Sequence, residues 1–402
     1  MPLDLTIGDV AYRGAGVARD PDRRVVFVPR TLPGEVVRCR IVRERKSFAD
    51  AAPESILSAS PDRVPPACPL FEVCPGCAYQ HARYEAELSF KQAQLEDLLA
   101  RIAGVTDVVF REPFAAPQPL GYRNKIVLHA RTGSPGAADG VTLGYIAEDN
   151  ESLLDVPICP LAHDEINARL AEIRSDARFL SSISGRATLT LRRTDADGVL
   201  AWLGRAPGGS ETWLTEQTGH GTYRVPRGSF FQVNPGVSDA LVEHVTKILR
   251  DNSMKVAVDL YCGVGVFALA AARAGAEQVI GIDSDRAAIR AAARNAGDAG
   301  LGNVAFEARR AGAAARRILA RGQPAETVLI LDPSRRGLDK SVIEAVTQAP
   351  PATIVYVSCA ADTLARDIRR LRGCGYELKS ARLFDMFPRT PYFETVARLT
   401  RS

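Results

Sequence analysis

The spacing of apolar positions changes along the chain. From about Arg227, short apolar runs at Val256–Leu260, Val279–Ile282, Val328–Leu331 and Ile354–Val357 alternate with alanine-rich stretches. Apolar strands interleaved with helical stretches predict a parallel sheet covered by helices, an α/β arrangement. Before that point, residues 105–225 read as short strands separated by turns, and Tyr84–Ile102 predicts a helix. Gly133–Gly140 reads as a loop rich in Gly, Ser, Pro and Ala, and no internal repeat is present. At the front, Thr6–Ile7, Val25–Val28 and Val36–Val42 are β-branched runs. Turn signals at Tyr12-Arg13-Gly14-Ala15-Gly16, Asp20-Pro21-Asp22 and Leu32-Pro33-Gly34 separate them. A five-strand barrel of this size is a common nucleic-acid binder. Ser60-Pro61 and Val64-Pro65-Pro66 then mark a linker. The pattern divides the chain into a small β-barrel at 1–58, a central α+β unit at 59–226 and an α/β unit at 227–402.

Composition narrows the class. The 402 residues are too many for one ordinary core. Apolar residues make up 46% and charged residues 24%, the balance of a soluble globular protein. No apolar run approaches the roughly 18 residues of a membrane span. The opening MPLDLTIGDV lacks a basic start followed by an apolar core, so a cytoplasmic location with no membrane partner is expected. The net charge of +4 does not by itself establish a nucleic-acid partner, but its distribution is suggestive. Arg38, Arg40, Arg43, Arg45 and Lys46 fall within nine residues opposed only by Glu44, and Arg366, Arg369, Arg370 and Arg372 form a second cluster. Either cluster is a solvated face or a surface that attracts phosphates.

Candidate chemistry concentrates in the α/β unit. Val256–Leu260 runs into Tyr261-Cys262-Gly263-Val264-Gly265-Val266. Gly263 and Gly265 allow a tight turn and a close approach of backbone to a ligand, and the following helix start offers free N–H groups. Asp283 closes the next strand 20 residues after Gly263, where a carboxylate would hold ribose hydroxyls. These features also suit NAD. Asp332, followed by Pro333 at the end of Val328–Leu331, points instead to a methyltransferase acting on a planar base, with S-adenosylmethionine as cofactor.

One such reaction makes a specific demand. C5 of uridine is a poor nucleophile until a thiolate adds to C6, and a base must afterwards remove the C5 proton. Cys359 follows the strand ending at Ser358, at the carboxyl edge where open α/β sheets bind ligands. A helix starting near Asp362 is expected to lower its pKa. Glu394, in Pro391-Tyr392-Phe393-Glu394, is the candidate base.

The eight cysteines of a cytosolic chain are more often ligands or nucleophiles than disulfides. Cys68, Cys74 and Cys77 are spaced C-x5-C-x2-C, with Cys159 as a possible distant fourth ligand. Three clustered thiolates and one distant thiolate suit a [4Fe–4S] cluster better than a zinc ribbon, which uses two close pairs. A structural role is expected, tying the 60–80 segment to the central unit.

Taken together, these motifs resemble the RNA 5-methyluridine methyltransferase family, over essentially the whole chain. Residues 1–58 resemble a TRAM domain. Tyr122-Arg123-Asn124-Lys125 matches a central motif, Phe230-Phe231-Gln232-Val233-Asn234 a cofactor motif, and Asp259–Gly265 the glycine motif. The segment Cys74-Pro75-Gly76-Cys77-Ala78-Tyr79-Gln80-His81 resembles the family's iron–sulfur segment. The resemblance implies a Rossmann-like class I methyltransferase domain behind a TRAM/OB-like barrel, acting as a monomer on ribosomal or transfer RNA. It assigns cofactor contacts to Gln232, Tyr261, Asp283 and Asp332, the nucleophile to Cys359 and the base to Glu394. Three positions depart from the family pattern. Ala360-Ala361 stands where Asn-Pro or Asp-Pro usually follows the nucleophile, Ser334 replaces a second proline, and an acidic residue after the third strand is missing around Phe306–Arg310. A related enzyme acting on a small molecule or another base, and an RNA-binding protein without catalysis, are the competing readings.

Overall fold

The computed structural model describes residues 2–133, 140–204, 213–252, 254–321 and 324–401. The interior of the expected Gly133–Gly140 loop lies outside these residues. Among the described residues no helix is long and apolar enough to cross a membrane.

The front unit is a sheet of six strands, one more than expected. Its order is Leu3–Thr6, Val36–Glu44, Phe48–Ser58, Val25–Val28, Gly16–Arg19 and Asp9–Val10. Alternate residues Leu5, Val26, Val28, Val37, Cys39, Ala49 and Ala51 face one small core. The Phe48–Ser58 strand reads FADAAPESILS and lacks the β-branched run that marks its neighbours. Tertiary pairing with Val36–Glu44 makes it a strand, and Pro53 sits beside a register shift between Arg38 and Cys39. Proline is tolerated in a strand at such irregularities.

The central sheet runs Leu153–Asp155, Val141–Ile146, Lys125–Thr132, Arg186–Thr194 and Gly198–Leu203. Strands and turns alone were expected across 105–225, yet helices form at Asp164–Ser175 and Ala177–Ser181. The first buries Ile166, Leu170 and Ile173, a helical i, i+4, i+7 stripe, in one core with Leu128, Leu189 and Leu191.

The large sheet of the C-terminal half has eight strands among the described residues. In order they are Val304–Ala308, Gln278–Asp283, Val256–Leu260, Thr327–Leu331, Thr353–Ser358, Glu394–Arg401, Tyr376–Phe384 and Val109–Phe114. Glu394–Arg401 runs antiparallel to both neighbours, and the other pairings are parallel. Strand ends and the start of Glu394–Arg401 therefore meet at one edge.

The core does not divide at 226/227. Val109–Phe114 is the outer strand of this sheet, and Leu95, Leu98, Leu99 and Ala103 from Tyr84–Leu98 and the wide turn after it share its core with Ile354, Leu364 and Leu371. The hairpin Trp213–Thr218/Gly221–Pro226 likewise packs Leu214, Tyr223 and Val225 with Leu269 and Ala291. A strand supplied from more than 250 residues away in sequence carries no local sign of its partner.

A buried ion network locks these pieces together. Lys91 Nζ, fully buried, donates to Glu87 Oε1 at 2.6 Å and to Asp385 Oδ1 at 2.7 Å. Tyr84 O–H donates to Asp385 at 2.9 Å, and the Arg389 backbone N–H to Glu87 at 2.7 Å. The network fixes the segment 385–393 that leads into Glu394. The same segment holds the cysteine loop, because the Ala78 and Tyr79 N–H groups both donate to the Arg389 carbonyl.

Candidate active site

The glycine turn forms as the residue types require. Tyr261, Gly263 and Gly265 have φ of +70°, +53° and +93°, and helix Val266–Arg273 follows. A side chain on Gly265 would put its Cβ 3.0–3.2 Å from Leu269, Phe306 and Ala292, so glycine is needed for space as well as for φ. Asp283 sits beside the turn. Its Oδ2 accepts the Gly263 N–H at 2.9 Å, and its Oδ1 accepts the Asp285 N–H at 2.8 Å. Ser229 Oγ donates to Asp285 at 2.9 Å and anchors the segment carrying Gln232 at this edge. Gln232 Oε1 and the Tyr261 hydroxyl are buried with no hydrogen-bond partner in the protein. Buried polar groups are nearly always satisfied, so such orphans mark places where a polar ligand fits.

At the reacting end, Cys359 stands between strand Thr353–Ser358 and helix Ala361–Arg372. Glu394 opens its strand, is 3% exposed, and leaves Oε2 without a partner. Asp332 directly follows Thr327–Leu331. The expected lowering of the Cys359 thiol is overturned. Burial pushes it up to about 12, the carboxylates of Glu394 and Asp332 add to the rise, and Arg335 opposes it. The start of the helix is outweighed by desolvation and two nearby negative groups. Burial and Asp332 hold Glu394 well above the usual carboxylate range, again against Arg335. Asp332 is raised to about 7 by burial and by Asp283.

The sequence reading missed three residues here. Asp259 is fully buried, its two oxygens have no partner at hydrogen-bond distance, and burial and Asp332 push it well above the usual range against the Ala268 backbone N–H. Its signal was an acid inside the apolar run VAVDL. Arg335 lies 3.8 Å over the Tyr392 ring and is the cation that counters the charges around Cys359 and Glu394. Tyr12, read only as part of a turn, reaches this edge from the front unit and packs edge-on against Phe393, while Arg13 faces Asp362 at 3.6 Å. The departure at Ala360-Ala361 is braced locally: Ser358 Oγ is 3.2 Å from both backbone groups of Ala360, and Thr363 Oγ1 donates to the Ala360 carbonyl at 3.1 Å.

Comparison with known proteins agrees with this arrangement. Residues 212–402 match the tRNA (Uracil-5-)-methyltransferase family and residues 3–53 the TRAM domain. An RNA methyltransferase of Thermosynechococcus vestitus is 32% identical over all of this chain and 98% of its own length. The 23S rRNA (uracil(1939)-C(5))-methyltransferase of Shewanella sediminis is 30% identical over 98% of this chain and 95% of its own. The chain belongs to the RNA (uracil-5-)-methyltransferase family. The fold also matches the crystal structure of Pyrococcus abyssi tRNA (uracil-54, C5)-methyltransferase in complex with S-adenosyl-L-homocysteine. That match has a TM-score of 0.76 and 24% identity over 99% of both chains.

Away from the reacting edge of this RNA (uracil-5-)-methyltransferase, Cys68, Cys74, Cys77 and Cys159 line one small cavity, and all four are free thiols. Gln80 links two of them: its Oε1 accepts the Cys68 N–H at 2.9 Å and its Nε2 donates to Cys77 Sγ at 3.2 Å. Asn167 clamps the backbone of Cys159 with bonds of 3.0 and 3.1 Å. Among the described residues, no group of three or more His, Cys, Asp or Glu side chains is placed to hold a metal ion. The fold thus gathers the four cysteines around one cavity without forming an ion-sized site.

The basic runs are mostly engaged within the protein. Arg38 pairs with Asp4 through two bonds of 2.8 and 2.9 Å, Arg43 with Asp50 at 2.6 Å, and Arg40 with Glu54 at 3.5 Å. In the second cluster, Arg366 and Arg370 bind Asp367, and Arg372 donates to the carbonyls of Ala103 and Gly104. This second run holds helix Ala361–Arg372 against its neighbours.

Proposed function

We propose that the enzyme transfers a methyl group from S-adenosylmethionine to C5 of a uridine in ribosomal or transfer RNA through a covalent adduct between Cys359 and C6. The observation that carries this reading is the half-buried Cys359 with the buried Glu394 and with Asp332 close enough to act on its charge, on the sheet edge that also holds the glycine turn. Asp259, Asp283, Asp332 and Glu394 crowd that edge, and Arg335 opposes the charge on Glu394. Such a cluster of acidic side chains suits a cationic cofactor, whose charge favours their ionised forms, and disfavours an anionic dinucleotide such as NAD. Gln232 and Tyr261 offer their unpartnered atoms to it, and Asp283 has lone pairs left for ribose hydroxyls.

S-adenosylmethionine supplies an electrophilic methyl on a positively charged sulfur. Cys359 gives its proton to solvent and its Sγ adds to C6 of the uracil, which moves the C5–C6 π pair onto C5 and the C4 oxygen and makes C5 nucleophilic. C5 would take the methyl group as the S–CH3 bond breaks with its electron pair left on sulfur, so that the cofactor would leave as the neutral thioether S-adenosylhomocysteine. Glu394 then removes the C5 proton, the electron pair re-forms the C5–C6 double bond, and the bond to Cys359 breaks. A cation beside the carboxylates offsets the groups that raise Cys359, so the nucleophile is activated once the cofactor site is filled.

We further propose that Cys68, Cys74, Cys77 and Cys159 hold a [4Fe–4S] cluster in a structural role. A cubane cluster keeps its thiolates farther apart than a single ion does, which suits four thiols around one cavity. Iron and sulfide analysis of anaerobically prepared protein tests this, and stoichiometric zinc without iron would overturn it. For the reaction, labelled S-adenosylmethionine is incubated with total RNA from a strain lacking the protein, and the product nucleoside is identified by mass spectrometry. 5-Methyluridine supports the reading. A different methylated base, or none, sinks it.

A further inference from the structure

We propose that Arg111, Arg382 and Lys247 form a contact for the RNA phosphate backbone on the outer edge of the catalytic sheet. The proposal rests on RNA being the substrate and adds where that RNA runs. Arg111 on Val109–Phe114 is in register with Arg382 on Tyr376–Phe384, so two guanidinium side chains lie side by side on one face of a parallel pair. Arg382 is held in place: its Nε donates to the Glu112 carbonyl at 3.0 Å, and its guanidinium lies 5.2 and 5.9 Å from the stacked rings of Phe384 and Phe114. On the covering helix Pro235–Arg250, the His244 ring packs 5.5 Å from Phe384, and Lys247 follows one turn later.

Among the described residues, none of these three cations is in a salt bridge, in contrast to the arginines of the front sheet. The mutual repulsion is felt inside the cluster. Burial and Arg111 lower Arg382, with Glu112 as the opposing carboxylate. Burial lowers His244 to about 4, and Arg382, Arg111 and Lys247 deepen the shift, so the imidazole stays neutral and adds no positive charge. Three cations with Glu112 as the nearby carboxylate leave a net positive charge that destabilises the folded chain, and a bound anion relieves that cost. Arg111 and Lys247 are exposed and reachable.

The position fits a polyanion threading away from the reaction. Phe384 is the register partner of Glu394. Arg382 is two residues back along the neighbouring strand, about 7 Å, and Arg111 one strand further out, about 4.8 Å. A uridine held at Glu394 therefore has its flanking phosphates within a nucleotide or two of the patch. Guanidinium and ammonium contacts to phosphate fix the register of a nucleic acid without reading its bases.

The test uses the full-length protein with the exposed pair replaced, Arg111→Ala together with Lys247→Ala, and a charge-keeping control, Arg111→Lys with Lys247→Arg. Affinity for a fluorescein-labelled RNA hairpin is measured across a salt series. S-adenosylmethionine binding is measured calorimetrically alongside, as a check on folding. The alanine pair is expected to weaken RNA binding roughly tenfold at low salt and to reduce the slope of log K against log salt by roughly 0.7–0.9 per lost contact. Cofactor binding should hold, and the control should recover most of the loss. RNA affinity and slope equal to wild type, with cofactor binding intact, overturn the patch. That result is separable from failure of the proposed reaction, which would appear as wild-type protein forming no 5-methyluridine on total RNA.

Discussion

The front sheet and the reacting edge treat charge in opposite ways. In the front sheet, Arg38, Arg40 and Arg43 each face a carboxylate, and the pairs lie in solvent. At the reacting edge, buried Asp259 and Glu394 stand with half-buried Asp283 and Asp332, Arg335 opposes the charge on Glu394, and Glu394 and Asp259 keep oxygens with no partner. Balanced, hydrated charge costs a fold little and performs no chemistry by itself. Buried, unbalanced charge costs stability and persists where a ligand or a reaction uses it.

Removing the reacting groups should break the second half of this contrast most severely. Cys359→Ala is expected to abolish methyl transfer, because no thiolate remains to activate the ring. Glu394→Gln should stop one step later: the adduct forms and accepts methyl, but the C5 proton stays. A protein–RNA species surviving denaturing electrophoresis would report that arrest. Near wild-type turnover by Cys359→Ala would end the covalent mechanism.

A buried charge that is balanced should behave differently again. Lys91 sits fully buried between Glu87 and Asp385, so Lys91→Met removes the cation they share and leaves Glu87 with Arg389 alone and Asp385 with no ion pair among the described residues. The expected loss is about 3–5 kcal/mol of stability, read from denaturant unfolding. Because Asp385 begins the segment leading to Glu394, activity should fall as well, even at temperatures where the variant is folded. A loss under about 1 kcal/mol would show that the network is dispensable.

Asp332 offers a pH-dependent test with the opposite sign. Its folded value of about 7 lies above its ordinary 3.8, so the folded chain holds this proton more tightly than the unfolded chain does. The associated stability is present in full below the unfolded value and is lost as pH rises through about 7. Asp332→Asn should therefore stabilise the cofactor-free protein at pH 8 by on the order of 4 kcal/mol and change little near pH 4, while weakening cofactor binding. Equal unfolding midpoints of the two proteins at pH 8 would contradict the burial argument.

The division between what could and could not be read from sequence follows the range of the interactions. The glycine turn, Asp283, Asp332 and the position of Cys359 after a strand were legible because strand, turn and helix are contiguous there. Glu394 was legible only through its motif, since its strand runs antiparallel to its neighbours and its burial depends on residues far along the chain. The place of the outer strand Val109–Phe114 in this sheet has no local sign because its partner, Tyr376–Phe384, lies more than 250 residues away. Thiol activation was misjudged for the same reason. The helix near Cys359 is local and visible, whereas Glu394 and Asp332 reach it only through the fold.

The smallest expected effect concerns the basic run of the front sheet, and it bears on how RNA is shared between the two regions. Counted in sequence, Arg38, Arg40, Arg43, Arg45 and Lys46 form the densest positive stretch in the chain. In the fold, the first three are answered by Asp4, Glu54 and Asp50, whereas Arg45 and Lys46 stand exposed beside the turn into Phe48–Ser58, with no salt bridge among the described residues. A phosphate must compete with a carboxylate to engage the first three, and each exchange releases less favourable energy than contact with a free cation. Replacing Arg38, Arg40 and Arg43 with Ala should therefore lower RNA affinity only a few-fold and barely alter the salt slope. Arg45→Ala with Lys46→Ala, two charges instead of three, should do more. Measured with the same hairpin RNA, a larger loss from the paired trio than from the unpaired two would show that the carboxylates yield to RNA, and that local ion pairing does not decide which arginines bind it.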